Sequence, residues 1–205
     1  MIKIGITGSL ASGKSTVSKI LSKKKYPLFS ADEEVKKLYT KSYFTKKVRK
    51  LFRLKKNKLI KKQVKKIIAQ NDKSLKILES FIHPIVRSKM DIFIKTKKKK
   101  KLLFFEIPLL IESKLMKRFD VIFFVNATKK IRLKRYLLNG GKKNIFSILD
   151  KRQINASVKA NICDHVIHNN SSLKVLEESV KNLIKKYEWN FFRYRNNRPF
   201  LQRQP

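Results

Sequence analysis

A chain of 205 residues with 52 Lys and Arg against 14 Asp and Glu carries a formal net charge of +38 and is long enough for one domain with a sizeable core. A single cysteine, Cys163, excludes an internal disulfide and a cysteine-rich metal site, and reads as a small buried residue beside a strand. No run of 18 uncharged apolar residues occurs and Met1 leads straight into a strand pattern, so neither a membrane span nor a secretory leader is expected, and a cytoplasmic location is.

Ile2 to Thr7 alternates β-branched residues and predicts a buried strand. Gly8-Ser9-Leu10-Ala11-Ser12-Gly13-Lys14-Ser15 follows, the pattern GxxxxGK closed by Ser or Thr. Ser15 to Ser22 then reads as a helix with Val17, Ile20 and Leu21 on one face. Strand, glycine-bounded loop and helix in that order is the context of a phosphate-binding loop. Gly8 and Gly13 are expected to take positive φ and let backbone N–H groups form an anion cradle. The helix N-terminus adds partial positive charge. Lys14 can neutralise β- and γ-phosphate oxygens, and the Ser15 hydroxyl can ligate Mg²⁺. Two of only five glycines lie here, which argues against a chance turn, so a nucleoside triphosphate is the expected ligand.

Pro27 to Ser30 predicts a short second strand, and Asp32 opens a helix to about Tyr39. A carboxylate at that strand exit sits where open α/β sheets bind ligands. Asp32 can therefore serve as a base or orient Mg²⁺, or it can cap the helix. Residues 42 to 96 hold no strand pattern. Leu51, Leu54, Leu59, Ile60, Val64, Ile67, Ile68, Leu75, Leu78, Phe81 and Ile82 recur at helical spacing, which predicts a helical insertion. Pro84 is expected in the first turn of a new helix, just after His83, a lone histidine of the usually structural kind.

Leu102 to Glu106 and Val121 to Val125 are apolar runs of strands buried on both faces. Between them, Glu106-Ile107-Pro108-Leu109-Leu110-Ile111-Glu112 offers an apolar wall with an acidic edge at Glu112, or a plain turn. Thr128 to Leu138 predicts a helix, about 139 to 160 a second insertion where a lid would lie, Val166-Ile167 a last strand, and Ser172 to Tyr187 an amphipathic helix. The tail from Trp189 to Pro205 mixes aromatics and arginines without periodicity. The sum is an α/β, doubly wound parallel sheet of the P-loop NTPase type with a helical substrate-side insertion and a lid. The lysines are scattered, as in Lys23-Lys24-Lys25 and Lys97 to Lys101, and gather into no nucleic-acid module, so no specific nucleic acid is expected. Lys, Ile, Asn, Phe and Tyr are abundant while Gly and Pro are scarce, the imprint of an AT-rich genome.

In their order, "IGITGSLASGKSTV", "SAD", "LESFIHPIV", "EIPLLIESKLMKRFDVIFFVNA", "RLKR" and "QINASVKANICDHVIHNN" resemble the dephospho-coenzyme A kinases. The late segment fits that family through Gln153, Asp164, Val166, Ile167 and Asn169. The resemblance implies transfer of the ATP γ-phosphoryl group to the 3′-hydroxyl of dephospho-coenzyme A. It implies that Gly8, Ala11, Ser12, Gly13, Lys14, Ser15 and Thr16 hold ATP phosphates and that Asp32 is the base. Lys36 stands where an arginine usually faces the substrate. His83, Pro108, Leu109 and Leu110 would border the acceptor pocket, and Arg135 matches an arginine of the helix leading to the lid. The chain departs from the family at Ser30, where an acid is usual, at Asn139-Gly140 in place of Arg-Asp, and at Ala156 and Lys159 in place of two arginines. Lys142, Lys143, Arg152 and Lys159 are the cations left to substitute for arginines worth ~10³ in rate. Alternatives are a P-loop kinase of another nucleoside or small metabolite, a nucleotide-dependent RNA-binding protein, and a decayed enzyme that retains ATP.

Overall fold

Apolar runs too short for helices and buried on both faces line up side by side as one sheet. The computed structural model describes residues 1–23, 26–55 and 59–189. In chain order these form β1 (Ile2–Gly8), α1 (Lys14–Lys23), β2 (Leu28–Ser30), α2 (Ala31–Leu38), α3 (Ser42–Leu51), α4 (Ile60–Gln70) and α5 (Asp72–Thr96). There follow β3 (Leu102–Glu106), a 3-10 turn (Met116–Arg118), β4 (Val121–Asn126), α6 (Lys129–Leu138), α7 (Lys143–Lys151), α8 (Ala156–Ile162), β5 (His165–His168) and α9 (Leu173–Trp189). The aromatic and basic tail beyond Trp189 lies outside the described residues.

The sheet order is β2-β3-β1-β4-β5, with parallel pairing of β1 to β3 and β4 and of β4 to β5. The chain winds outward from central β1 to one edge, returns through β3, and crosses to β4 and β5. The loop after β1 therefore opens where the strand order reverses, the usual ligand position in such sheets. Register sets Ile6 level with Glu106 on one side and Phe123 on the other. The carboxylates of Asp120 and Asp164 each accept a backbone N–H at 2.7 Å, from Lys3 of β1 and Ile122 of β4, and so tie down the strand starts.

Alternation within the strands gives the sheet two apolar faces. On one, Ile4, Ile6, Phe104 and Phe123 pack under Val17 and Leu21 of α1 and Leu176, Val180, Ile184 and Tyr187 of α9. On the other, Leu110 and Phe119 lie against Gly5, where a Cβ would come within 2.6 Å of Leu110 Cδ1. Each such buried side chain stabilises the fold by roughly 1.5–3 kcal/mol.

Residues Ser30–Thr96 form a compact unit of their own. Its core joins Leu38, Phe44, Val48, Val64, Leu78 and Ile82. Pro84 does not begin a helix but lies inside α5, a single run of 25 residues. Proline removes a bond to the carbonyl four residues back and crowds it, a cost of about 3 kcal/mol. Here Leu78, Phe81 and Ile82 before it and Ile85 and Val86 after it all pack on the same core, so burial carries the helix through. Cys163 is the half-buried C-cap of α8 rather than a buried residue, two positions before β5. Among the described residues no helix is long and apolar enough to cross a membrane.

Candidate phosphate-binding site

The loop between β1 and α1 closes on itself, with Ser12 N–H donating to Ser9 O at 3.1 Å. Thr16 and Val17 N–H both reach Gly13 O, which starts α1. Gly13 takes the left-handed φ of 97° that the sequence suggests, but its partner in that conformation is Ala11, at φ 57°, not Gly8. Gly8 is required for space instead. A Cβ there would lie 2.5 Å from Val125 O and 2.6 Å from Ser12 Oγ. A left-handed alanine is strained by roughly 1–2 kcal/mol, so surrounding contacts must hold it.

Part of that hold is visible at Ser12. Its carbonyl accepts from Asn169 Nδ2 at 2.9 Å and from Arg135 NH1 at 3.3 Å. Arg135 NH2 in turn donates to Asn169 O at 3.1 Å and to Asn169 Oδ1 at 3.3 Å. A trans peptide points its C=O and N–H in opposite directions, so fixing Ser12 O fixes the direction of Gly13 N–H. Arg135 thus stands behind the loop as a brace. Asn169, in the late family segment, is buried, and the sequence alone gives it no role at the loop.

Lys14 folds back over the loop, its ammonium donating to Gly8 O at 3.0 Å and Ser9 O at 2.9 Å. Ser15 Oγ donates to Glu106 Oε1 at 3.0 Å. Glu106 is 5% exposed and ends β3 beside the start of the loop. Sequence reasoning passes over it as a site residue. The trace it leaves is a carboxylate closing an otherwise apolar strand next to the loop strand. A hydroxyl and a carboxylate are hard oxygen donors, the kind Mg²⁺ takes. Among the described residues no group of three or more His, Cys, Asp or Glu is placed to hold a metal. An ion here would complete its shell with phosphate oxygens and water, as Mg²⁺ does in nucleotide sites.

Asp32 is exposed, the second residue of α2. The helix is capped by Ser30, whose Oγ accepts Glu33 N–H at 3.4 Å, so the capping alternative for Asp32 is overturned. Ser and Asp are near-equal caps, and the residue in the strand-end position does the work. Lys36 pairs with Glu33 at 2.6 Å, both exposed, and that hydrogen bond holds the Glu33 carboxyl below its ordinary range. His83 is half-buried on α5. Of the Pro108-Leu109-Leu110 segment, Pro108 O accepts from Thr7 Oγ1 at 3.0 Å. Leu110 is fully buried against the sheet, which removes it from any wall open to a ligand.

The family model for dephospho-CoA kinase matches residues 2–175. The chain belongs to the dephospho-CoA kinase family. A dephospho-CoA kinase of Rickettsia typhi is 32% identical over 189 residues, covering 92% of this chain and 98% of the relative. Among solved structures, one from Thermus thermophilus aligns with TM-score 0.76 at 27% identity, over 90% of this chain and 97% of that one. Dephospho-CoA kinase from Campylobacter jejuni aligns with TM-score 0.68 at 26% identity, over 92% and 98%.

At the positions where the resemblance leads to the expectation of arginines, this chain offers little cation. Asn139 caps the end of α6 with its amide on Arg135 O at 2.9 Å, Gly140 has φ 77°, and Ala156 begins α8. Lys159 is no substitute. It is 0% exposed, with Nζ 2.6 Å from Glu112 Oε1. Glu112 also accepts Ile154 N–H at 3.2 Å, so it is an interior anchor rather than an acidic edge. Lys142, Lys143 and Arg152 remain exposed at the ends of α7.

Proposed function

We propose that the chain transfers the γ-phosphoryl group of ATP to the 3′-hydroxyl of dephospho-coenzyme A, the last step of coenzyme A biosynthesis. A formed phosphate loop within a chain matched to this family over residues 2–175 carries the reading. Lys14 exchanges its bonds to Gly8 O and Ser9 O for β- and γ-phosphate oxygens. Ala11, Gly13 and Ser15 present backbone N–H groups at the N-terminus of α1, whose first turn holds no acidic residue, and Ser12 and Thr16 complete the loop around the phosphates. Ser15 and Glu106 would hold Mg²⁺, which when bound neutralises charge on the phosphates.

Asp32 accepts the proton of the 3′-hydroxyl as its oxygen attacks the γ-phosphorus. The bond from that phosphorus to the bridging oxygen breaks, and ADP leaves. By the resemblance to the family, Lys36, His83, Pro108 and Leu109 are assigned to the acceptor. The segment from about 139 to 160 serves as the lid, and Lys142, Lys143 or Arg152 supplies its cation. A single cysteine suits the reducing cytoplasm in which this reading places the enzyme.

The test is mass spectrometry of the product formed from ATP, Mg²⁺ and dephospho-coenzyme A, with a panel of nucleosides alongside and Lys14→Ala as the control. Coenzyme A from the wild type and none from the variant is expected. Phosphorylation of a nucleoside in place of dephospho-coenzyme A would overturn the assignment.

A further inference from the structure

The tip of the phosphate loop is held from outside on both sides of one residue. Leu10 N–H donates to Gln153 Oε1 at 2.8 Å, from the turn between α7 and α8. Leu10 O accepts from Arg132 NH1 of α6 at 3.3 Å. Arg132 is itself fixed and only 6% exposed. Its Nε donates to Ala127 O at 3.2 Å, its NH1 to Asp150 Oδ1 at 2.5 Å, and its guanidinium lies 5.6 Å from the centroid of the Phe146 ring. A guanidinium cannot shed its charge on burial, so a carboxylate must compensate it, and Asp150 does.

The next peptide explains what these contacts do. Rotating the Leu10–Ala11 peptide by half a turn would move Ala11 from φ 57° into the ordinary negative range, relieving a strained alanine. The same rotation would turn Leu10 O into the cradle, where a phosphate oxygen requires an N–H. With Leu10 O on Arg132, the Ala11 N–H points the opposite way. The charge-assisted hydrogen bond from Arg132 to Leu10 O outweighs the strain of one left-handed alanine, while Gln153, through Leu10 N–H, fixes the preceding Ser9–Leu10 peptide. We propose that Arg132, compensated by Asp150, is a positioning residue that holds the Leu10–Ala11 peptide in the orientation that binds phosphate, and that Gln153 supports it by fixing the Ser9–Leu10 peptide before it. Neither acts on the reacting atoms. The inference rests on the proposed function only in taking ATP as the ligand of the loop.

The experiment is calorimetric titration of Mg-ATP into the full chain, with no acceptor present, and with melting temperature measured on each apo variant. Arg132→Gln, Asp150→Asn and Gln153→Leu are each expected to weaken ATP binding about tenfold or more, the worth of one misdirected donor to a charged group. In turnover the KM for ATP rises while that for dephospho-coenzyme A stays. Lys129→Ala, which removes an exposed ammonium 3.9 Å from the Asp150 carboxylate, binds ATP as the wild type does. The decisive arm is Ala11→Gly in the Arg132→Gln background. Glycine carries no penalty at positive φ, so affinity recovers several-fold, which a general loss of packing would not allow. Asp150→Asn keeps size and shape and serves should Arg132→Gln not fold.

Affinity within twofold of wild type in both Arg132→Gln and Asp150→Asn overturns the proposal. So does a loss that Ala11→Gly leaves untouched. A wild type that binds no ATP overturns the proposed function and this inference with it.

Discussion

The Ser15 hydroxyl donates to the Glu106 carboxylate at 3.0 Å, linking the first turn of the helix after the phosphate loop to the end of the neighbouring strand. The two residues are 91 positions apart, and the pairing exists because β3 lies beside β1 with Ile6 level with Glu106.

If that pair holds the metal, Glu106→Gln keeps the shape and still accepts the Ser15 proton while losing the negative charge. Melting temperature is expected to move by only a few degrees. The rate should fall 10- to 100-fold, the usual worth of a group that tunes a bound metal, and half-maximal activity should need more Mg²⁺. A rate titration against Mg²⁺ decides it, and an unchanged requirement removes Glu106 from the site.

Ser30 and Asp32 separate cleanly by substitution. Ser30→Ala removes the cap of α2 and should cost about 1 kcal/mol with little effect on the rate at saturating substrates. Asp32→Asn leaves the cap in place and loses at most about 1 kcal/mol of interaction with the helix dipole, while the rate falls roughly 10² or more. Paired thermal melts and turnover assays read both. Wild-type turnover in Asp32→Asn would strike it as the base.

Breaking the buried Lys159–Glu112 pair should be the largest single loss of stability. Lys159→Met leaves a carboxylate without its charge partner, at a cost of about 3–5 kcal/mol, whereas Lys159→Met with Glu112→Gln recovers most of it. Denaturant unfolding of the wild type, of Lys159→Met and Glu112→Gln singly, and of the double variant tests this. Additive losses in the double variant would show that the two residues are not coupled.

His165 makes stability depend on pH. Burial holds its imidazole below the ordinary 6.5, Asp164 pulls the other way, and Lys186 adds to the lowering. Its Nε2 is hydrogen-bonded to the Tyr187 hydroxyl. Because the folded value is the lower one, the unfolded chain takes up the proton first. The contribution is complete above about pH 6.5 and is lost as pH falls below it. Melting temperatures from about pH 8 down to about pH 5.5 should decline less in His165→Gln than in the wild type.

What the sequence makes legible is what local spacing encodes. The loop pattern, the apolar strands and the helical run from 42 to 96 each depend on neighbours within a turn or two, and the doubly wound sheet follows from their order. Pro84 misleads because its local preference for a helix start is weaker than the core on either side of it. Leu110 misleads because an apolar triplet at a strand exit looks the same whether it faces a ligand or the underside of β1. Arg132, Gln153 and Asn169 lie in segments that carry the family resemblance, yet their roles at the loop stay hidden, as does that of Glu106, for one physical reason: each reaches the loop across the chain. Arg135, visible as a family position, shows only in the structure that its guanidinium braces Ser12 O.

With 14 acidic residues in the chain, five are spent on fixed tasks: Asp120 and Asp164 on strand starts, Glu106 on Ser15, Asp150 on Arg132, and Glu112 on Lys159 and Ile154. Anions turned to such duties are lost to the outside, and the surface behaves as a polycation short of counter-charge. Its self-repulsion works against the folded state and is screened within a Debye length of about 8–10 Å at ordinary ionic strength. Added neutral salt should therefore raise the melting temperature, the reverse of its effect on a protein held by surface ion pairs, and low-salt handling is where this molecule is weakest.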